Sequence, residues 1–427
     1  MHNAAMRAVV KWGAWAALLL LLVVGAALLA VQRWVSTEAF RQRVQAEAEA
    51  ALGVPLRLGS VGVTLLPLPG LALEAVEVRT RQPLTVERID VRPSWLALLT
   101  GRVAVSTLRV RRAVLPQQGI DALLQSVQKL RQRNARQASA TPWHLLPRHT
   151  VLDEVRWIDS RGQGITIRAQ AALDSDVWPG QLDLQVIEGR LQGARLQLQR
   201  QDEHSWDVAM AVAEGTVQGR LEVQVPGEGT EFVLKAQLRT RDVELSRLTA
   251  PQPTEAARTA QPLSGRLEAD TILQARARQP SALLDGLQTQ SKFTVRRAVL
   301  HGVDLVKAVQ TAGVSRGGQT PLDTLTGQLS TRGKVIELQN LVARSGALGA
   351  TGQVNVSTTQ QLSGRINADV AGAVGVPLVV GGTVDEPEVS LSTGAKIGAA
   401  LGTVLMPGVG TGAGASLGGK LGELLGK

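Results

Sequence analysis

Leu221-Glu222-Val223-Gln224-Val225, a glycine-containing turn, then Val233-Leu234-Lys235-Ala236-Gln237-Leu238: these two runs decide the fold. In both, apolar and polar residues alternate. Successive side chains of a strand point to opposite faces, so each run carries one oily face and one polar face. Two such runs joined by a short glycine-bearing connection read as antiparallel neighbours.

The same period extends in both directions. Upstream it recurs at Val76–Arg79, Val86–Arg92, Val103–Val105, Ile165–Arg168, Leu182–Val186 and Leu196–Gln199. Downstream it recurs at Leu267–Asp270, Val354–Val356 and Ile366–Val370. On the order of twenty strands are expected, which at ~4.8 Å per strand would make a ladder of roughly 95 Å if stacked in one curved sheet. Val223, Val225, Leu234, Leu267, Val354 and Ile366 are the candidate residues of its apolar face. The pattern leaves two arrangements open: β-sandwiches whose oily faces close on each other, or one long sheet with an open apolar groove.

Composition narrows the chemistry. A length of 427 residues allows two or three domains. Cysteine is absent, which removes disulfides, thiolate metal sites and cysteine nucleophiles together. Aromatics make up only 3% of the chain, so its apolar content is Leu, Val and Ala, and its interior is greasy and inert. A net charge of +10 suits anionic lipid surfaces. Nucleic acid, the other usual partner of a basic protein, needs stacking aromatics that this chain hardly has, so none is expected.

Trp12 to Val31 is an uncharged apolar run of the length that crosses a bilayer core. Trp12, Trp15, Leu20, Val24, Leu28 and Trp34 are its candidate anchor residues, with the tryptophans at the interfaces. Arg7 and Lys11 precede it, so the N-terminus is expected in the cytoplasm and the bulk beyond the membrane. A cleaved signal peptide would have a shorter core and a small-residue cleavage site. Val31-Gln32-Arg33 offers no such site, and an uncleaved anchor over residues 1–35 is the expectation.

Residues 36–250 are read as a first β region with a leading helix. Phe40, Val44, Ala48 and Leu52 recur every four residues after Ser36, which is read as the N-cap, and Gly53 as the stop. Ile120 to Arg136 reads as a helix with a basic end, and Ser281 to Leu287 and Val303 to Gln310 as short ones. Residues 134–142 read as a polar linker. Residues 251–262, rich in proline, are taken as the boundary before a second β region, 263–391. Residues 392–427 form a glycine-rich helical tail. In it Gly410, Gly414, Gly418, Gly422 and Gly426 repeat every four, a spacing that lets helices approach closely in a membrane. Pro407-Gly408 divides the tail, so two short helices in contact with a membrane or a partner are expected; the alternative is a flexible tail.

No catalytic constellation is present. His144 and His149 are five apart, which fits no helical metal pair. Gly414 to Leu421 approaches a phosphate loop but has Leu421 where magnesium needs Ser or Thr. No enzyme activity, metal or cofactor is expected.

Several segments resemble the AsmA family of inner-membrane-anchored periplasmic proteins. They are Leu52-Gly-Val-Pro-Leu-Arg-Leu-Gly-Ser-Val61, Pro67 to Val78 (PLPGLALEAVEV) and Arg92 to Val103 (RPSWLALLTGRV). Leu263-Ser-Gly-Arg-Leu, Ala282 to Leu287, His301-Gly-Val-Asp-Leu305 and Gly382 to Val389 are similar to the family's second region. The resemblance implies a long curved sheet with an oily groove, related to bridge-like lipid transfer proteins. It implies phospholipids as partners and a role in outer-membrane biogenesis, between inner and outer membrane. The tail would meet the outer membrane or an envelope protein. The rival expectation is a non-transporting scaffold that regulates outer-membrane protein assembly and targeting to the membrane.

Overall fold

The computed structural model describes residues 37–64, 70–94, 97, 104–134, 147–159, 162–174, 178–224, 231–249, 263–277, 286–310, 317–333, 335–346, 348–370, 375–392 and 394. The chain divides into two compact units, Met1–Gly189 and Arg190–Lys427. This division differs from the expected boundary at residues 251–262, which lie outside the described residues. The strands on either side of that stretch are hydrogen-bonded neighbours within the second unit.

The first unit contains α1 (Glu38–Leu52), β1 (Leu56–Arg57), β2 (Ser60–Thr64), β3 (Gly70–Val78), β4 (Leu84–Pro93), β5 (Val105–Pro116), α2 (Gln117–Asn134), β6 (His149–Ile158), β7 (Gly164–Leu173) and β8 (Pro179–Glu188). β1 and β2 both pair with β3, and the ladder then runs in chain order to β8. The expectation of a wholly antiparallel sheet is corrected at one place: β5 and β6 are parallel. A parallel pair needs a crossover of a dozen or more residues, and the segment carrying α2 supplies it.

Thr37 caps α1, accepting a hydrogen bond from the Phe40 N–H at 3.4 Å, so the cap is Thr37 rather than the expected Ser36. Gly53 ends α1 at φ 69°, as its position predicts. The stripe Phe40, Val44, Ala48 and Leu52 packs on Leu56, Leu58, Val61, Val76, Val78 and Leu84, joined by Ile120 and Leu123 of α2. The Leu56 N–H donates to Glu49 Oε1 at 2.9 Å and pins the end of α1 to β1. That bond, with a second from Gln45, holds the Glu49 carboxyl below its ordinary range.

The second unit contains β9 (Arg195–Asp202), β10 (Ser205–Val212), β11 (Gly215–Gln224), β12 (Phe232–Glu244), α3 (Leu245–Thr249), β13 (Leu263–Ala277), β14 (Gln288–His301), α4 (Leu305–Gln310), β15 (Gln319–Arg332), β16 (Val335–Ser345), β17 (Leu348–Val356), β18 (Leu362–Val370), β19 (Val376–Gly382) and β20 (Pro387–Leu391). Every strand pairs antiparallel with the next, from β9 to β20.

This ladder is not flat. α4 packs on β15, β18 and β20. β15 and β20 would lie about 24 Å apart in a flat sheet, whereas a six-residue helix is about 9 Å long. The strands from β15 to β20 therefore curl around α4, with Leu305 and Ala308 in one core with Leu322, Ala368, Leu378 and Leu391. Thr320, 1% exposed, fixes the helix: its hydroxyl donates to Val303 O at 2.8 Å and accepts from the Leu305 N–H at 2.9 Å.

Bulges assist the bending. Asp242, Arg297 and Asn340 have φ near +50° on β12, β14 and β16; Ala75, Arg112 and Glu154 do so on β3, β5 and β6 of the first unit. A residue held there bends its strand and raises the local twist. No described helix is long and apolar enough to cross a membrane. Trp12–Val31, Trp34, the Ser281–Leu287 helix and the glycine-repeat tail fall largely or wholly outside the described residues.

Candidate functional site

Strand register turns the alternating sequence into continuous rows of side chains. In the first unit one row runs Val61–Leu73–Ile89–Val110–Leu152–Ala169–Leu184 across seven strands. A second runs Val76–Val86–Ala113–Val155–Ile167–Val186. Neither contains a polar residue. α1 and α2 pack against the end of this face nearest β1. Leu73, Ile89, Val110, Leu152 and Leu184 are nevertheless only half-buried.

In the second unit a single row crosses all twelve strands. It reads Leu198–Val208–Gly219–Leu238–Thr271–Ser291–Leu329–Leu338–Val354–Gly364–Val380–Val389. Its burial changes along its length. Leu198, Val208, Leu238, Leu329 and Leu338 are half-buried, whereas Val354, Val380 and Val389 are buried. This row is thus half-exposed over β9–β16 and buried over β17–β20, while the same face carries buried residues on the earlier strands as well, among them Trp206, Val223, Ala236 and Val295. Of the two arrangements that the alternation allowed, the second unit shows the single long ladder rather than a sandwich of two sheets, with α4 covering one end of its apolar face.

Of the residues chosen from sequence, Val223, Leu234, Leu267, Val354 and Ile366 all lie on this face. Val223 pairs with Leu234, and Leu234 with Ala275 on the odd-numbered side of β13 that also carries Leu267. Gly352 joins Ile366 to the side of β17 that carries Val354. Val223 and Val354 are buried and the other three half-buried. Val225 and every anchor and tail residue lie outside the described residues.

The opposite face is charged. Over β10–β16 it forms a hollow of about 1240 Å³ lined by residues such as Arg220, Arg239, Lys292, Asp207 and Asp270, with Leu238, Thr271, Ser291 and Leu329 of the row also in its wall. Arg239 pairs with Asp270 at 3.0 Å and Arg220 with Asp207 at 3.8 Å. These pairs are exposed and contribute little to stability. They keep this face in water and leave the other face to apolar contact.

A smaller cleft of about 530 Å³ gathers Glu244, Ser246, Ser264, Gly265, Arg266, Arg297 and His301. Its members come from three distant segments, and no spacing in the sequence predicts the cluster. Ser264 Oγ lies 3.1 Å from His301 Nε2. The Glu244 carboxylate accepts from the Ser246 hydroxyl at 2.8 Å and the Gly265 N–H at 3.3 Å. Burial pushes the Glu244 carboxyl up, but these hydrogen bonds and the Arg266 charge outweigh it and hold it below its ordinary range.

Residues 6–205 match the model of the AsmA family, which supports assigning the chain to that family. No curated protein and no solved structure matches the chain.

Proposed function

We propose that this AsmA-family chain binds phospholipids and conducts them along its aliphatic sheet face, anchored in the inner membrane by Trp12–Val31 with its bulk in the periplasm. The observation that carries the reading is the row from Leu198 to Leu338, continuous in register yet half-exposed. Apolar surface left in water costs about 25 cal/mol per Å². A fold that leaves such a row accessible on eight consecutive strands has room for hydrocarbon from elsewhere. The row carries no cation and no carboxylate, so it holds acyl chains by distributed contact, and a molecule held that way can slide.

A benzoylphenylalanine at position 329, on the open stretch, is expected to crosslink to lipid in living cells. The same group at 380, on the closed stretch, is expected to give no lipid adduct. Absence of lipid adducts at 329, 338 and 238 alike would sink the proposal. In that case the scaffold role remains, and the charged hollow becomes the surface to mutate.

A further inference from the structure

Two adjoining rows of the open face share one departure from apolar character. The first places Thr271 beside Ser291, between Leu238 and Leu329. The second places Thr289 beside Thr331, between Leu273 and Ile336. Thr289 and Ser291 are two apart on β14 and share a face. Four hydroxyls therefore stand together across β13–β15, in a patch of roughly 10 by 7 Å from strand and residue spacing. Elsewhere the first row is apolar or glycine from β10 to β20, and the second is apolar from β10 to β18.

All four are half-buried. Thr271 and Ser291 share one hydrogen bond at 2.8 Å, which leaves each with further capacity. Among the described residues, Thr289 and Thr331 have no hydrogen-bond partner for their hydroxyls. The patch itself carries no charge, and the cations next to it along the chain, Lys292 and Arg332, alternate to the opposite face. A phosphate would call for those cations. Uncharged hydroxyls instead match ester carbonyls, which lose water on an aliphatic surface and need a replacement donor.

Resting on the lipid reading above, we propose that this hydroxyl patch docks the glycerol-ester segment of a phospholipid. It gives an otherwise uniform face one preferred resting position, with the acyl chains lying over the flanking aliphatic strands.

The test uses the full chain in liposomes of phosphatidylethanolamine and phosphatidylglycerol doped with one of two photoreactive phospholipids. One carries its diazirine next to the ester and the other near the chain's methyl end. Adducts are mapped by mass spectrometry. The ester-side probe is expected to label β13–β15, and the methyl-end probe the flanking strands β11–β12 and β16–β17. In the variant Thr271→Val, Thr289→Val, Ser291→Ala and Thr331→Val, ester-side labelling of β13–β15 should fall about fivefold per hydrogen bond lost, with total labelling kept. Valine and alanine fit these positions, and circular dichroism reports whether the variant is folded. If it is not, the two wild-type distributions decide. Identical distributions for the two probes, or an unchanged ester-side peak in a folded variant, would overturn the docking site alone. Absence of adducts anywhere on the face would overturn the lipid reading beneath it.

Discussion

Aspartate at Leu238 and aspartate at Leu378 should have opposite consequences, because one side chain lies on the open stretch and the other in the closed core. Leu378 is 1% exposed and packed in the cluster around α4. Losing its packing costs about 2–5 kcal/mol, and an acid left there without a partner costs roughly 1–3 kcal/mol more even when protonated. The total is a large share of the ~5–15 kcal/mol that holds a domain folded. Leu378→Asp should therefore abolish cooperative folding of the second unit. Leu238 is half-buried, and a carboxylate there keeps its water, so the cost is about 1 kcal/mol. Its effect falls on bound hydrocarbon instead. A carboxylate that displaces three methylenes removes about 2.4 kcal/mol of contact at ~0.8 kcal/mol each, roughly a fiftyfold loss of affinity. The assay pairs thermal unfolding with quantitative mass spectrometry of lipid retained by the purified full chain, wild type against variant. A stable Leu378→Asp protein, or a Leu238→Asp protein retaining wild-type lipid, would refute the division into closed and open stretches.

Three further outcomes follow from local geometry. A Cβ on Gly352 would lie 2.3 Å from the Arg365 carbonyl oxygen, whereas one on Gly349 of the same strand meets nothing within 4 Å. Gly352→Ala should lower the melting temperature clearly, and Gly349→Ala should leave it unchanged or raise it by the effect of about 0.4–1 kcal/mol expected where the backbone fits alanine. Thr320→Val removes both hydrogen bonds that hold the start of α4 and should cost about 1–3 kcal/mol in denaturant unfolding. The Glu49 carboxyl is held below its ordinary range, so its contribution is present above the unfolded value near ~4.3 and is lost as pH falls through the folded one. The first unit should loosen in acid at the junction of α1 and β1. Glu49→Gln should show a smaller change between neutral and acid pH by hydrogen exchange at Leu56.

Strand existence was legible because alternation is a local property: Leu221–Gln224 of the first run and Val233–Leu238 of the second lie in β11 and β12, in register. The stripe Phe40, Val44, Ala48 and Leu52 was legible for the same reason and packs as its spacing predicts. Contacts between distant segments were not legible. The parallel pairing of β5 with β6 depends on where a crossover returns the chain, and alternation carries no direction. The proline-rich segment at 251–262 read as a domain boundary, yet β12 and β13 pair across it, since a connection of any composition can join neighbouring strands. The hydroxyls at 271, 289, 291 and 331 look like ordinary strand residues until register sets them side by side. The cleft at Glu244, Ser264 and His301 is hidden for the same reason.

Cover over the apolar face of the second unit is graded along the ladder, fullest where α4 packs. On β17 and β18 the apolar face mixes the small residues Ala350, Gly352, Gly364 and Ala368 with Leu348, Val354 and Ile366, and the sheet curls there around α4. A Cβ on Gly364 would lie 2.4 Å from the Gln353 carbonyl oxygen, so the close approach of these strands depends on glycine. Along the same row Leu338 pairs with Val354 and packs against the core around α4, whereas Leu238 and Leu329, further along, are half-buried. On the lipid reading proposed above, an acyl chain lying along this row would meet the packed core at β17–β20 and would enter and leave from the half-exposed stretch. Charge placed at Leu238 or Leu329 should then obstruct it, where charge on the polar side of β18 should not.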